Sequence, residues 1–387
     1  MLDRHFIAPN PESVGIDPDK LEALSQRVAQ EVNAGILPAT QMAIARNGKL
    51  AALRTFGNAT DNTLFNVFSS TKAITSAAGW LLIQDGKLNI DELVADIVPE
   101  FGTHGKEGIK VEWLFTHTAG FPHAPFATLD WLDKAKRNAR YSAWKPNWPP
   151  NSRFEYHPTS SMWVIAEIIE RRSGVDFAEF VRTRIANPLG LTDMWVGCPR
   201  SQHHRIAPVM HVNDAMTAAE WAAAGIPQPE VGEVTEDALL NFNNTEVRQV
   251  PVPGGGGLMS AAELALFYQA LVNGGRAHDG AQIWRQETLD YAFKVRNTFP
   301  DLMGNPVNRA LGVIVAGDDK RAARGFGHTN SPLAFGHGGA GGQIAWADPA
   351  TGISFGYCTN GHDRHVLRQG RRGISLSNRA AVCALAT

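Results

Sequence analysis

The sequence predicts an α/β protein of the α+β type, with a mostly antiparallel sheet built from both chain ends, flanked by helices, and a helical lobe inserted between the halves. Three observations predict it. Strand-like segments gather near both ends, the interval between them carries helical periodicity, and 387 residues suffice for a large core.

The first element is a helix, with Asp17 as N-cap, Pro18 in the first turn, and Leu21, Leu24, Val28 and Val32 at helical spacing up to Gly35. After Pro38, TQMAIAR and KLAALRTF flank Asn47-Gly48, two residues that tolerate positive φ and suit a type I′ hairpin turn. Near the other end RALGVIVAG, QIAWADP and GISFGYCTN read as strands, the last two joined by a Pro/Gly turn at 348–352, and a final helix is expected over 373–385. Between them, residues 161–172 are the clearest helix, with Met162, Ile165, Ile168 and Ile169 on one face and Gly174 as its cap. Residues 195–253, rich in Pro, Gly, Asn and His, are expected to form surface loops. The expected domains are 1–80 with 255–387 as the sheet domain and 81–254 as a helical, loop-rich lobe, with the active site between them.

The 36 basic and 38 acidic residues nearly cancel and form no like-charged block, which argues against nucleic acid or an anionic membrane as partner. No apolar run approaches the roughly 20 residues of a membrane helix, and the N-terminus lacks the apolar core of a secretory signal. A cytoplasmic protein is expected, in keeping with Cys198, Cys358 and Cys383 being odd in number and far apart. The oligomeric state is not legible.

The chemistry begins in FNVFSSTKAITSAAGWLLIQDGK, where Ser69 precedes Lys72 by three residues at a helix start, so both project on one face. A serine attacks only when something removes its proton. A lysine can do so if its surroundings lower its pKa by roughly 3 units from about 10.4, at a cost on the order of 4 kcal/mol. The same spacing also fits an ordinary helix start with Ser69 or Ser70 as cap and Lys72 solvated. Ser142 and Lys145 in YSAWKPNWPP repeat the spacing, but Pro146 and Pro149 break the helix that would align them, which makes that pair structural.

Further segments turn this spacing into a resemblance. RFEYHPTSSMWVIAEIIERRSG places Tyr156 in a short loop before a helix, and AFGHGGAGGQIAWADPATG places His337-Gly338-Gly339 where a strand is expected to begin. With WLFTHTAGFP, IANPLGLTDM and GGGGLMSAAELALF in order along nearly the whole chain, the sequence resembles the serine β-lactamase-like superfamily, of class C β-lactamase and penicillin-binding-protein fold, and especially the family VIII carboxylesterases. The resemblance implies that Ser69 is acylated, that Lys72 lies beside it, and that Tyr156 is the catalytic tyrosine, with Lys72 and Tyr156 both open as the formal base. It further implies an oxyanion hole from the backbone N–H groups of Ser69 and Ala340, beside a substrate-binding segment of His337, Gly338 and Gly339. A half-buried core tyrosine is the other reading of Tyr156.

Two departures shape the expected substrate. Where β-lactamases of this type carry Lys-Thr-Gly, this chain has His337-Gly338-Gly339, and a neutral histidine suits an uncharged ester better than a carboxylate. Pro158, two residues after Tyr156, replaces an asparagine that would recognise an acylamino group. Residues 336–341 match GxGxxG but lead into a strand, which argues against a nucleotide. His203-His204 and His362-x-x-His365 lack partners at zinc spacing, and no metal or other cofactor is expected. Trp144 and Trp148 fit either the pocket entrance or the lobe core. The expectation is hydrolysis of a small-molecule, short-chain carboxylic ester through an acyl-enzyme on Ser69. Its rivals are β-lactam or D-amino-acid amide or peptide hydrolysis, acyl transfer, and a penicillin-binding-like scaffold without turnover.

Overall fold

Helix α1 spans Pro18–Asn33, with the Asp17 carboxylate accepting from the amides of Asp19 and Lys20 and Pro18 in its first turn. Strands β1 (Ala39–Arg46) and β2 (Lys49–Gly57) follow as an antiparallel hairpin, and Asn47 and Gly48 both take positive φ, 55° and 79°, as the turn requires. This is a computed structural model that describes residues 3–225 and 235–385.

The main sheet has six strands. With β3 (Phe65–Asn66) in a separate sheet and β4 (Gly257–Met259) as its partner, the remaining strands are β5 (Ile314–Val315), β6 (Phe335–Gly336), β7 (Ile344–Asp348) and β8 (Ile353–Thr359). Their order is β2-β1-β8-β7-β6-β5, every pairing antiparallel, so the two chain ends meet where β1 pairs β8. A one-residue alternation along β1 sends Met42 and Ile44 to one face and Ala43 and Ala45 to the other, and both faces are covered. On one side lie Leu21, Leu24 and Val28 of α1 with Leu376 and Ala380 of the last helix. On the other lies the helix Ala261–Val272, whose first amide donates to the Gln41 side chain.

That helix opens with a capping box between Ser260 and Glu263. Helix α2 (Thr71–Gln84) runs through the core and is buried around its circumference from Thr71 to Leu82, polar Thr71, Lys72, Thr75 and Ser76 included. Helix α3 (Lys134–Ala143) and helix α4 (Ser160–Ser173) belong to the intervening stretch; α4 ends at Gly174 in the left-handed conformation, and Met162, Ile165, Ile168 and Ile169 are all buried.

Three expectations need correction. RALGVIVAG forms only the two-residue β5, because Gly312 takes positive φ and turns the chain before the strand starts. The last helix covers Val366–Ala381 rather than 373–385, since Gly370 and Gly373 are accommodated inside it. His337 does not open a strand: β6 ends at Gly336, and the segment continues to pair loosely with the next strand before a tight turn at Ala340–Gly342. Within 195–253 the described residues form short helices, such as Ala218–Ala224, and short strands joined by loops; 226–234 lie outside the described residues. No helix among the described residues is long and apolar enough to cross a membrane.

Candidate active site

Ser69 sits in a 3-10 turn, Phe68–Ser70, that feeds directly into α2. The turn is strained, because Phe68 takes φ 44°, a region that non-glycine residues avoid. Its surroundings hold it there. The Asn66 side chain accepts from the Phe68 amide at 2.9 Å, Thr71 Oγ1 donates to the Phe68 carbonyl at 2.6 Å, and the same Thr71 oxygen accepts from the Gly257 amide at 2.8 Å. The Phe68 ring packs edge-on against Phe242 and His362. The strain thus presents Ser69 at a helix start, facing a cavity of about 930 Å³.

Lys72 is fully buried, one turn further along the same helix. Its Nζ lies 3.2 Å from Ser69 Oγ, 2.7 Å from the Pro158 carbonyl and 2.8 Å from the Gly254 carbonyl. The solvated alternative for this lysine is therefore wrong. Burial pushes its pKa below the ordinary lysine value and the Arg309 charge adds to that, while Tyr156 opposes both. A neutral amine has two N–H donors and one lone pair. When the amine is neutral and its two donors meet the two carbonyls, its lone pair is left for the serine proton.

Tyr156 stands beside this pair, its ring centroid 5.0 Å from Lys72 Nζ. The loop that carries it is anchored through its neighbour: the His157 amide donates to His117 Nδ1, the His157 Nε2 accepts from the Phe121 amide, and its Nδ1–H donates to the Glu155 carbonyl. Burial holds His157 down to about 3 and His117 well below the usual imidazole range, so both rings are neutral at physiological pH. The His117 ring also packs on Tyr156, with centroids 4.7 Å apart.

His337, Gly338, Gly339 and Ala340 line the same cavity as Ser69 and Tyr156. Arg309 Nη1 donates to His337 Nε2 at 3.2 Å, which leaves the His337 Nδ1–H for the Gly338 carbonyl at 2.7 Å. Burial, then Arg309 and Lys72, keep His337 well below its usual pKa and hence neutral. Gly339 brings this segment against the serine turn: a Cβ there would lie 2.2 Å from the Val67 carbonyl oxygen. Gly339→Ala must push this segment away from Ser69, so kcat is expected to fall on the order of 100-fold with the circular dichroism spectrum unchanged. A variant turning over like the parent would show that this approach does not set the geometry.

Sequence reasoning missed three contributors. The carbonyls of Pro158 and Gly254 carry no side-chain signature. Arg309 was read only as the first residue of a strand, yet it is buried in the site, faces the rings of Phe154 and Tyr156, each 5.4 Å away, and is pushed down to about 10 by burial. It remains cationic at neutral pH, so the absence of a lysine from the His337 segment does not leave the site without a fixed positive charge. The family-like segment 113–122, which carries His117 and Phe121, was the one available signal for the loop that anchors Tyr156. Ser142 points away from this site to the Glu100 carbonyl, and Trp144 and Trp148 are buried rather than lining the cavity.

A serine and a tyrosine on one cavity, with a buried lysine beside the serine, fit a serine hydrolase. A model of the beta-lactamase family matches residues 24–377, and the chain belongs to that family. It is similar to the esterase/beta-lactamase LipL of Mycobacterium tuberculosis (strain ATCC 25618 / H37Rv), with 26% identity over 312 residues, 76% of this chain and 68% of LipL. Among solved structures, a penicillin-binding protein homologue from Caulobacter crescentus matches 95% of this chain and 99% of its own at TM-score 0.77 and 27% identity. A family VIII carboxylesterase shares the fold with the same coverage and TM-score at 24% identity.

Proposed function

We propose that the protein is a carboxylesterase that cleaves uncharged esters, short-chain ones included, through an acyl-enzyme on Ser69 and without a cofactor. The observation that carries this reading is the Lys72 amine, fully buried, 3.2 Å from Ser69 Oγ and bonded to two backbone carbonyls. In the acylation step Lys72 accepts the serine proton as Oγ attacks the ester carbonyl. The tetrahedral oxyanion lies against the backbone N–H groups of Ser69 and Ala340. Tyr156, beside Lys72, gives its hydroxyl proton to the departing alkoxide and recovers one from Lys72, which returns to the free amine. Water then repeats the sequence on the acyl-enzyme and regenerates Ser69. The neutral His337 and the side-chain-free Gly338 and Gly339 favour an uncharged ester, and the esterase name borne by LipL supports the same class.

Purified protein mixed with p-nitrophenyl butyrate is expected to release the phenol and to carry a butyryl adduct in intact mass that Ser69→Ala abolishes. A folded protein showing neither turnover nor adduct would leave a binding scaffold as the better reading. The Arg309 cation favours one second reading, hydrolysis of β-lactams or other carboxylate-bearing amides. Turnover of nitrocefin exceeding that of the butyrate ester would select it.

A further inference from the structure

The cavity at Ser69 is larger than a short ester needs. At about 930 Å³ it sits near the upper end of the roughly 300–1,000 Å³ of sites that enclose drug-sized ligands. Away from the serine its lining includes part of the helix Val366–Ala381 together with Ile314, Arg324, Phe326 and Trp346. Val366, Gly370, Gly373 and Ile374 recur at three- and four-residue intervals, so they share one face of that helix, and all four line the cavity. Gln369 and Arg371 are the polar members of the same stretch.

The two glycines are the informative feature. Glycine is the poorest helix former after proline, and a helix interior retains it where something else requires the space. Here no packing neighbour requires it: a Cβ built on Gly370 or Gly373 meets no heavy atom within 4 Å. The helix is held to the sheet by other residues, Arg372, Leu376, Ser377 and Ala380, which are buried. Both glycines line the cavity into which Ser69 opens, Gly370 at its exposed edge and Gly373 half-buried.

We propose that this groove is a subsite for a long apolar chain of the substrate, so that the preferred ester carries a medium-length or long alkyl or aryl-alkyl group on its acyl or its alcohol side. The proposal rests on Ser69 being the nucleophile. It revises the short-chain expectation, which had no measure of the space beyond the serine. An apolar group leaving water for this lining gains about two- to fourfold in kcat/KM for each methylene buried.

The test uses two substrate series, each kept below its micelle concentration: p-nitrophenyl esters from acetate to decanoate, and alkyl butyrates from methyl to octyl. The protein is compared with Gly370→Leu, Gly373→Leu and the double variant. Leucine favours the helix at both positions, so melting temperatures are expected to hold or rise. The wild-type protein is expected to gain about tenfold or more along one of the two series, and that series identifies which side of the ester enters the groove. The leucine variants are expected to lose that gain and to stay within about twofold of wild type on acetate and methyl butyrate. Efficiency that falls beyond four carbons in both series, or leucine variants that keep the wild-type chain-length profile, would overturn the subsite. In either case Ser69-dependent cleavage of acetate would persist if the esterase reading is right. Absence of any ester cleavage would remove that reading together with the subsite.

Discussion

Lys72→Ala is expected to lower kcat for p-nitrophenyl butyrate by about 10⁴-fold or more, Ser69→Ala by a similar factor, and the double variant by scarcely more than either. The reason for the non-additivity is geometric. Lys72 Nζ lies 3.2 Å from Ser69 Oγ, and the proton it takes in acylation is the one on that oxygen, so removing either partner removes the same event. Lys72→Ala also strands the carbonyls of Pro158 and Gly254, and a modest loss of thermal stability accompanies the kinetic one. The direction of pH dependence follows from the protonation state that the base requires. Burial lowers the Lys72 pKa, so the free amine is populated further into the neutral range than for an exposed lysine. As pH falls through that lowered value the amine gains a proton and loses its lone pair, and kcat/KM is expected to fall about tenfold per pH unit on the acid side. Additive losses in the double variant, or an acid limb that ignores Lys72, would rule out a shared proton transfer.

Tyr156→Phe is expected to cost about 10²- to 10⁴-fold in kcat with KM little changed. The phenylalanine keeps the ring that packs on His117 and faces Lys72 and Arg309, so what is lost is the hydroxyl alone. If that hydroxyl serves the departing alcohol, the loss depends on the leaving group. A p-nitrophenolate departs readily without a proton, whereas an alkoxide does not. Ethyl butyrate is therefore expected to suffer more than p-nitrophenyl butyrate. Equal losses on both esters would move Tyr156 from the leaving group to the serine proton, and a loss of under about twofold on both would return it to a packing role.

The elements that the sequence disclosed are those whose signals are local. The cap at Asp17, the Asn47-Gly48 turn and the Gly174 stop each depend on a few neighbouring residues, and each stands where its local chemistry put it. The final helix was misplaced because Gly370 and Gly373 weaken a local helix signal that tertiary packing of Arg372 and Leu376 overrides. The strand expected from RALGVIVAG shrank for the converse reason, since a β-rich composition does not form a strand past a turn at Gly312.

The same division runs through the site. Ser69 and Lys72 were legible as a candidate pair because three residues on a helix fix a distance, and the family-like order of segments turned that pair, with Tyr156 and His337 through Ala340, into a site. That determined the class of chemistry. Only the tertiary structure brought the carbonyls of Pro158 and Gly254, 86 and 182 residues away in sequence, onto the Lys72 amine. Only it set Arg309 against Tyr156 and His337, and opened the cavity along the last helix. The physical reason is that a backbone carbonyl is the same group at every position, and a void has no residue of its own. Neither is written in side-chain identity until the chain has folded around it.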